Sequence, residues 1–398
     1  MKRLGILGST GSIGRSCLSV VGENRSRFQI VSMTAGENAE LMARQVLEVQ
    51  PAFVSMATEQ VANDLRARLR EAGAKSIPEI SFGPEGMKKA STLPEVDLLL
   101  SSTVGVAGLP ATYAALLAGK QVALANKEVL VAAGELVTAA ARAKSIELLP
   151  VDSEHNAVHQ CLRGGRREEA SILVLTASGG PFLHTPAAEI ETATVEQALR
   201  HPTWKMGSRI TIDSATMMNK GFEVIEACRL FNLPPAKVSV LVHPQSTIHS
   251  LVEFSDGSIL AQLSVTDMRL PILYALSCPE RVPSELKFPL SELRRLDFQP
   301  PDPQKFPCLG LAYEAAEAGG AKTVALNAAD EVAVAAFLEG SIRFNDIARI
   351  IKAVVGETPA RRAESIKQVL TMDAEARRLA KEQVERSSQR SPMALGRR

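Results

Sequence analysis

Read by the spacing of its apolar positions, the chain begins as an alternation of short strands and amphipathic helices. Residues 4–7 form an apolar strand, followed by a glycine turn and a helical pattern through residue 21. Strands at 28–34 and 52–56 alternate with helices at 39–49 and 59–72. Further strands at 96–100, 121–124 and 146–151 accompany alanine-rich helices at 110–118 and 129–143. Such repetition predicts a mostly parallel, doubly wound sheet, an N-terminal α/β domain of Rossmann type.

The pattern changes after residue 150. A buried strand at 172–175 precedes a weakly patterned stretch to residue 208, then a strand at 209–213 and a helix entered through 214–223. Segments 238–242, 248–254 and 258–264, the last two separated by Asp256-Gly257, read as antiparallel strands joined by turns. A proline-rich connector at 279–307 leads to helical patterns at 308–318, 321–338, 344–355 and 360–384, and the polar tail 387–398 is expected to fray. A chain of 398 residues exceeds what one hydrophobic core holds. We therefore expect a nucleotide-binding domain at 1–150, a central α+β catalytic domain with a lid loop at 151–278, a connecting segment at 279–307 and a C-terminal helical bundle at 308–398.

Composition narrows the function classes. A net charge of +1 without a long basic block gives no electrostatic case for nucleic acid or an anionic membrane surface, so an anionic ligand must be held locally. Five scattered cysteines without paired metal-ligand spacing fit a reducing cytoplasm. No apolar run reaches membrane-spanning length, and the amino terminus turns glycine-rich too early for a signal-peptide core.

The candidate chemistry sits at the ends of strands. Gly8-Ser9-Thr10-Gly11-Ser12-Ile13-Gly14 follows the first strand and opens the first helix. Its bare backbone N–H groups suit a pyrophosphate, with Ser9, Thr10 and Ser12 adding hydroxyl donors, although glycine also serves a tight turn. The second strand ends at Thr34-Ala35-Gly36 without an acidic tip, which favours NADP over NAD; Glu37 works against a 2′-phosphate. Asn126-Lys127-Glu128 also follows a strand, yet in isolation reads as a solvated helix start. In Pro150-Val151-Asp152-Ser153-Glu154-His155 the two carboxylates stand two positions apart. If the strand continues they share one side and can grip a hard divalent cation; otherwise Asp152 or Ser153 caps a helix.

Further along, Ser178-Gly179-Gly180-Pro181 suits an oxyanion or an ordinary turn, and His201 is a plausible anion contact rather than a metal ligand. Trp204 and Met206 lie in a loop that reads either as a lid or as a hydrophobic anchor. On the helix after Ser214, Asn219, Lys220 and Glu223 share a face by their three- and four-residue spacing. Ser178, Ser214, Asn219 and Lys220 are candidates to hold a phosphate jointly, with Glu223 a third carboxylate for the cation. His243 and His249 read as structural histidines.

Taken in order, these segments resemble the 1-deoxy-D-xylulose 5-phosphate reductoisomerase family, as do Asp213-Ser214-Ala215-Thr216-Met217-Met218-Asn219-Lys220-Gly221, Val265-Thr266-Asp267-Met268-Arg269 and Leu326-Asn327-Ala328-Ala329. The resemblance implies rearrangement and NADPH-dependent reduction of 1-deoxy-D-xylulose 5-phosphate to 2-C-methyl-D-erythritol 4-phosphate, in non-mevalonate isoprenoid synthesis. It implies Asp152, Glu154 and Glu223 as ligands of Mg²⁺ or Mn²⁺. It also implies Thr10, Gly11, Ser12, Ile13, Gly36, Asn38, Asn126, Glu128 and Gly207 as NADPH contacts. Lys127, Ser153, Glu154, Ser178, His201, Ser214, Asn219, Lys220 and Glu223 become substrate contacts, Lys127, Asp152, Glu154 and Glu223 the catalytic set, and the protein a cytoplasmic homodimer. Two rivals are an NADP-dependent, metal-dependent dehydrogenase of another phosphorylated polyol and a nucleotide sensor without turnover.

Overall fold

Strands apolar on both faces are stable only inside a sheet that is covered on both sides. In the computed structural model, which describes residues 1–204 and 206–390 apart from the side chain of Arg390, seven short strands form one sheet in which all but the edge strand at 79–82 are mostly buried. They alternate with helices as β1 (Lys2–Leu7), α1 (Ser12–Glu23), β2 (Phe28–Thr34), α2 (Ala39–Val49), β3 (Phe53–Met56), α3 (Glu59–Glu71), β4 (Glu79–Phe82), α4 (Gly83–Thr92), β5 (Leu98–Ser101), α5 (Leu109–Leu117), β6 (Gln121–Leu124), α6 (Glu128–Ala143) and β7 (Leu148–Pro150). Every pairing is parallel, in the order β4-β3-β2-β1-β5-β6-β7. The winding reverses between β1 and β5, and the carboxyl edge at such a switch point is where open α/β sheets bind ligands.

Local chemistry sets the helix limits. Asn38 accepts a hydrogen bond from the Leu41 N–H at 2.9 Å to start α2, and Thr58 accepts from Val61 at 3.3 Å to start α3. α3 then buries Ala62, Leu65 and Leu69, a helical stripe, while Arg68 and Arg70 occupy its last turn.

The chain divides into two compact units. Unit 1 comprises Met1–Val129, Leu136–Asn156 and Asp267–Lys287; unit 2 comprises Leu130–Glu135, Ala157–Thr266 and the chain from Phe288. After α7 (Ser153–Leu162), unit 2 contains β8 (Ala170–Ala177), the short helices α8 (Ala187–Ile190) and α9 (Val195–Ala198), α10 (Ser208–Ala215), α11 (Met218–Phe231), β9 (Val238–Val242), β10 (Ile248–Phe254) and β11 (Ile259–Leu263). α12 (Arg269–Ser277) returns to unit 1 and packs with α1. The remaining helices of unit 2 are α13 (Pro307–Ala318), α14 (Ala321–Leu338), α15 (Phe344–Glu357) and α16 (Ile366–Arg390). Their core includes the edge-on rings of Phe182, Phe344 and Phe337, with centroids 5.0 and 5.5 Å apart.

The second sheet corrects one expectation. Its order is β11-β10-β8-β9, so β9 lies parallel to β8 and does not neighbour β10, whereas β10 and β11 form the expected antiparallel hairpin across Asp256-Gly257. A second correction concerns residues 209–213, which are helical within α10 instead of a strand. Thr211 Oγ1 donates to the Gly207 carbonyl at 2.8 Å, and Thr211, Ile212, Asp213 and Ala215 are buried on helical spacing, so packing overrides the β-branched propensity. The expected tail falls from residue 391 onward outside the described residues, as does Lys205. Among the described residues no helix is long and apolar enough to cross a membrane.

Candidate active site

The glycine turn sits at the switch point, at the end of β1. A Cβ at Gly14 would lie 2.4 Å from the Gly8 carbonyl oxygen, so the turn closes against the helix only because that position is bare. Gly11 occupies the N-cap of α1 without a side-chain cap, leaving the first-turn N–H groups to an outside acceptor. Thr10 and Ile13 are half-buried and Ser12 is exposed, whereas Ser9, expected to add a donor, turns inward. Its hydroxyl donates to Gln45 Oε1 at 2.8 Å, because a buried hydroxyl needs a partner. At the tip of β2, Gly36 and Asn38 are exposed, and the Asn38 side chain caps α2.

The strand ends on the other side of the switch carry Asn126, Lys127 and Glu128, and here the triplet is buried instead of solvated. Glu128 Oε1 accepts from the Gly105 N–H at 3.1 Å, and Asn126 Nδ2 donates to the Gly105 carbonyl at 2.9 Å and to Thr103 at 3.2 Å. Both therefore brace the turn that follows β5, a role no local pattern in the sequence announced. The Asn126 Oδ1 atom is buried and accepts no hydrogen bond, so this wall keeps one acceptor for a donor from elsewhere. Lys127, 8% exposed, pairs with Asp152 Oδ2 at 2.6 Å.

The chain does not stay extended past Pro150. It bends at Asp152 and enters α7 at Ser153, with the Asp152 carbonyl accepting the Asn156 N–H at 2.8 Å, so the shared strand face expected for Asp152 and Glu154 is replaced by a helix start. Ser153 Oγ donates to Glu154 Oε2 at 2.6 Å. Asn156, whose role no local pattern announces, pins the bend by donating to the Pro150 and Pro271 carbonyls at 2.8 and 3.2 Å.

Unit 2 presents the second set of functional candidates. Glu223 is fully buried on α11, and its carboxylate accepts from Asn219 Nδ2 at 2.7 Å and from Lys220 Nζ at 2.5 Å, as the spacing required. The helix is entered through Met217 in the left-handed region, φ 60°, an uncommon conformation for a non-glycine residue. Ser214 lies on α10 just before it. A Cβ on Gly180, whose φ is +67°, would meet the Ser214 carbonyl oxygen at 2.7 Å, so the Ser178 turn packs directly on α10.

Ser178 and His201 form a pair. The His201 Nδ1 atom accepts from the backbone N–H groups of Trp204 and Thr203 at 2.9 and 3.2 Å, which places the ring proton of the neutral form on Nε2, 2.9 Å from Ser178 Oγ. Burial holds the imidazole below its ordinary pKa, in keeping with that neutral tautomer. Since Ser178 Oγ accepts from Gly180 N–H at 3.2 Å as well, its own proton is left to point outward as a donor. Gly207 is the exposed N-cap of α10. His243, bonded to the Asp297 carbonyl and the Thr247 N–H and stacked on Phe298, is structural, as expected.

Comparison with known proteins covers the same residues. Models of the 1-deoxy-D-xylulose 5-phosphate reductoisomerase match residues 4–134, with its C-terminal domain at 148–231, and a DXP reductoisomerase C-terminal domain at 263–379. The chain is 52% identical over 96% of its length to a 1-deoxy-D-xylulose 5-phosphate reductoisomerase of Solibacter usitatus, covering 97% of that protein. It is 47% identical to one of Methylococcus capsulatus, covering 97% and 99% of the two chains. Among solved structures, the Zymomonas mobilis enzyme in complex with NADPH matches with a TM-score of 0.90 at 42% identity, over 96% of this chain and 99% of that one. A DOX-P reductoisomerase in complex with NADPH, fosmidomycin and magnesium matches with a TM-score of 0.91 at 39% identity, over 97% and 98%.

Proposed function

Because this chain belongs to the 1-deoxy-D-xylulose 5-phosphate reductoisomerase family, we infer that it rearranges 1-deoxy-D-xylulose 5-phosphate and reduces the product with NADPH to 2-C-methyl-D-erythritol 4-phosphate. The observation that carries this reading is 52% identity across nearly the whole of a reductoisomerase.

The donor sets fit the groups such chemistry needs. The bare turn around Gly14, the uncapped N-terminus of α1 and the unsatisfied Asn126 acceptor suit a dinucleotide, and we assign Thr10, Gly11, Ser12, Ile13, Gly36, Asn38, Asn126, Glu128 and Gly207 to NADPH. Carboxylate oxygens suit Mg²⁺ or Mn²⁺, and we assign them to Asp152, Glu154 and Glu223. When bound, the cation supplies Lewis acidity to the substrate's carbonyl and hydroxyl oxygens, and NADPH supplies hydride.

The chain's own side chains then have distinct tasks. His201 Nε2–H donates to Ser178 Oγ and so turns the Ser178 hydroxyl proton toward the substrate phosphate, which Ser178 holds with Ser214, Asn219 and Lys220. That remote grip orients the carbons for retro-aldol cleavage and re-addition to a branched aldehyde. Ser153 holds Glu154 in one rotamer by its hydrogen bond. Lys127, paired with Asp152, and Glu154 are assigned to carry protons between the substrate's oxygens. The reading extends to a cytoplasmic homodimer, on the family resemblance alone.

The test is an assay of NADPH oxidation with 1-deoxy-D-xylulose 5-phosphate, with and without Mg²⁺. Turnover should require both, and carbon-13 NMR should show a branched product; an unbranched one would make the protein a polyol dehydrogenase. Asp152→Asn should lower kcat by about 10³-fold while NADPH affinity stays within about twofold.

A further inference from the structure

Three helices of unit 2, α10, α14 and α16, carry a charge cluster, its aspartates buried and its arginines half-buried, that the chemistry above does not use. Arg209 on α10 is its hub: its guanidinium lies 3.3 Å from Glu331, 3.7 Å from Asp330, 3.8 Å from Asp213 and 3.5 Å from Asn327 Oδ1. Glu331 receives a second cation, since Arg377 on α16 reaches it at 2.6 Å while also pairing with Asp373 at 2.7 Å, and Asn327 donates to it at 3.0 Å. Asp330 is served worst. It is 0% exposed, its distance to Arg209 is too long for a hydrogen bond, and neither of its oxygens accepts one.

An ionised carboxylate cannot be left in that position. Burial first, then the neighbouring Asp213 carboxyl, push Asp330 well above the ordinary carboxyl range, with Arg209 opposing. Two buried carboxyls side by side resolve the conflict by keeping one proton between them. The other titratable groups on helices packed against α14 do not change this. Cys308 on α13 is itself pushed up by burial and by these two carboxyls, and Asp346 on α15 is engaged by the Arg343 N–H and by Arg349.

We propose that Asp330 is a positioning residue: flanking the same guanidinium as Asp213 and denied a hydrogen bond by it, its carboxyl hydrogen-bonds to that of Asp213 and so fixes α10, and with it Ser214, for substrate binding. The proposal rests on the reading of Ser214 as a phosphate contact. It differs from a plain ion pair with Arg209 in what an isosteric amide should do. An asparagine at 330 keeps a donor and cannot ionise.

The tests are Asp330→Asn and Asp330→Ala in the full-length protein. A carboxyl with a raised folded-state pKa gives its stability below the unfolded-state value near 4, and loses it as pH rises through the folded-state value. Asp330→Asn removes that loss. Its melting temperature, measured without substrate, should therefore exceed the parent's at pH 8 by about 3 °C, and the excess should shrink toward pH 5. Its KM for 1-deoxy-D-xylulose 5-phosphate should stay within about twofold of the parent's at pH 7, whereas Asp330→Ala should raise KM about tenfold with kcat changed by less than about threefold. An asparagine variant that melts several degrees lower at pH 8 would overturn the proposal in favour of an ionised Arg209 partner. An alanine variant with lowered melting temperature and unchanged KM would overturn it in favour of bulk stability. Inactivity of the parent protein with this substrate is a separate result, which defeats the functional reading and leaves the melting comparison intact.

Discussion

A carboxylate taken fully out of water is destabilising unless a cation and hydrogen-bond donors accompany it, and Glu223 has both from its own helix. Removing the ammonium alone is the damaging change. Lys220→Met should lower stability in metal-free buffer by about 3 kcal/mol, because it leaves a buried charge short of its partner, and Lys220→Met with Glu223→Gln should recover most of that loss. Denaturant unfolding of parent, single and double variants measures both; a single variant as stable as the parent would mean that Lys220 contributes nothing to Glu223. This part of the site was legible, since positions 219, 220 and 223 fall on one helical face whatever surrounds them. The Ser178–His201 pair was not, since 23 residues and a weakly patterned loop separate the two. Lys127 was misread for a related reason: its burial against Asp152 comes from the end of a different strand, and the triplet alone looks solvated.

An element is legible when its own residues dictate its conformation, and the turn between β1 and α1 does so through Gly14. The Gly14 backbone is not left-handed, so an alanine there fails only by collision, its Cβ meeting the Gly8 carbonyl oxygen and Ser9 Cα at 2.4 and 2.5 Å. Gly14→Ala must therefore open the turn and move the α1 N–H groups. We expect KM for NADPH to rise at least about tenfold and KM for the phosphorylated substrate to change by less than about threefold, read from steady-state titrations of each. Equal effects on the two constants would locate the damage outside the nucleotide turn. Where large apolar residues are absent the sequence signal fades. β4 has one buried side chain in four, and α4 buries Gly86, Ala90 and Ser91, so neither presents the stripe by which helices and strands are read. α10 fails in the opposite sense, because its alternating Ile and Thr suggest a strand until the burial of Ile212 and Ala215 imposes a helix.

The described residues form two hydrophobic cores that share no residue, one in unit 1 and one in unit 2. No local pattern announces that α12 packs with α1, or that it offers the Leu276 carbonyl, 274 residues along the chain, to Lys2 Nζ at 2.7 Å. Contacts so distant along the chain leave no trace in local periodicity, which is why the sheet was legible and the returning helix was not. The separation of cores has a measurable consequence. Ile351 on α15 is completely buried in the unit 2 core, and Ile351→Ala leaves a cavity there that should lower stability by about 3 kcal/mol. The glycine turn and the Asn126–Gly105–Glu128 brace belong to unit 1, whose core residues are untouched by that change. NADPH affinity, followed by fluorescence titration well below the melting temperature, should then remain within about twofold of the parent's although the protein melts several degrees earlier. A loss of affinity that tracked the loss of stability would show instead that the nucleotide turn depends on the packing of the distant helices.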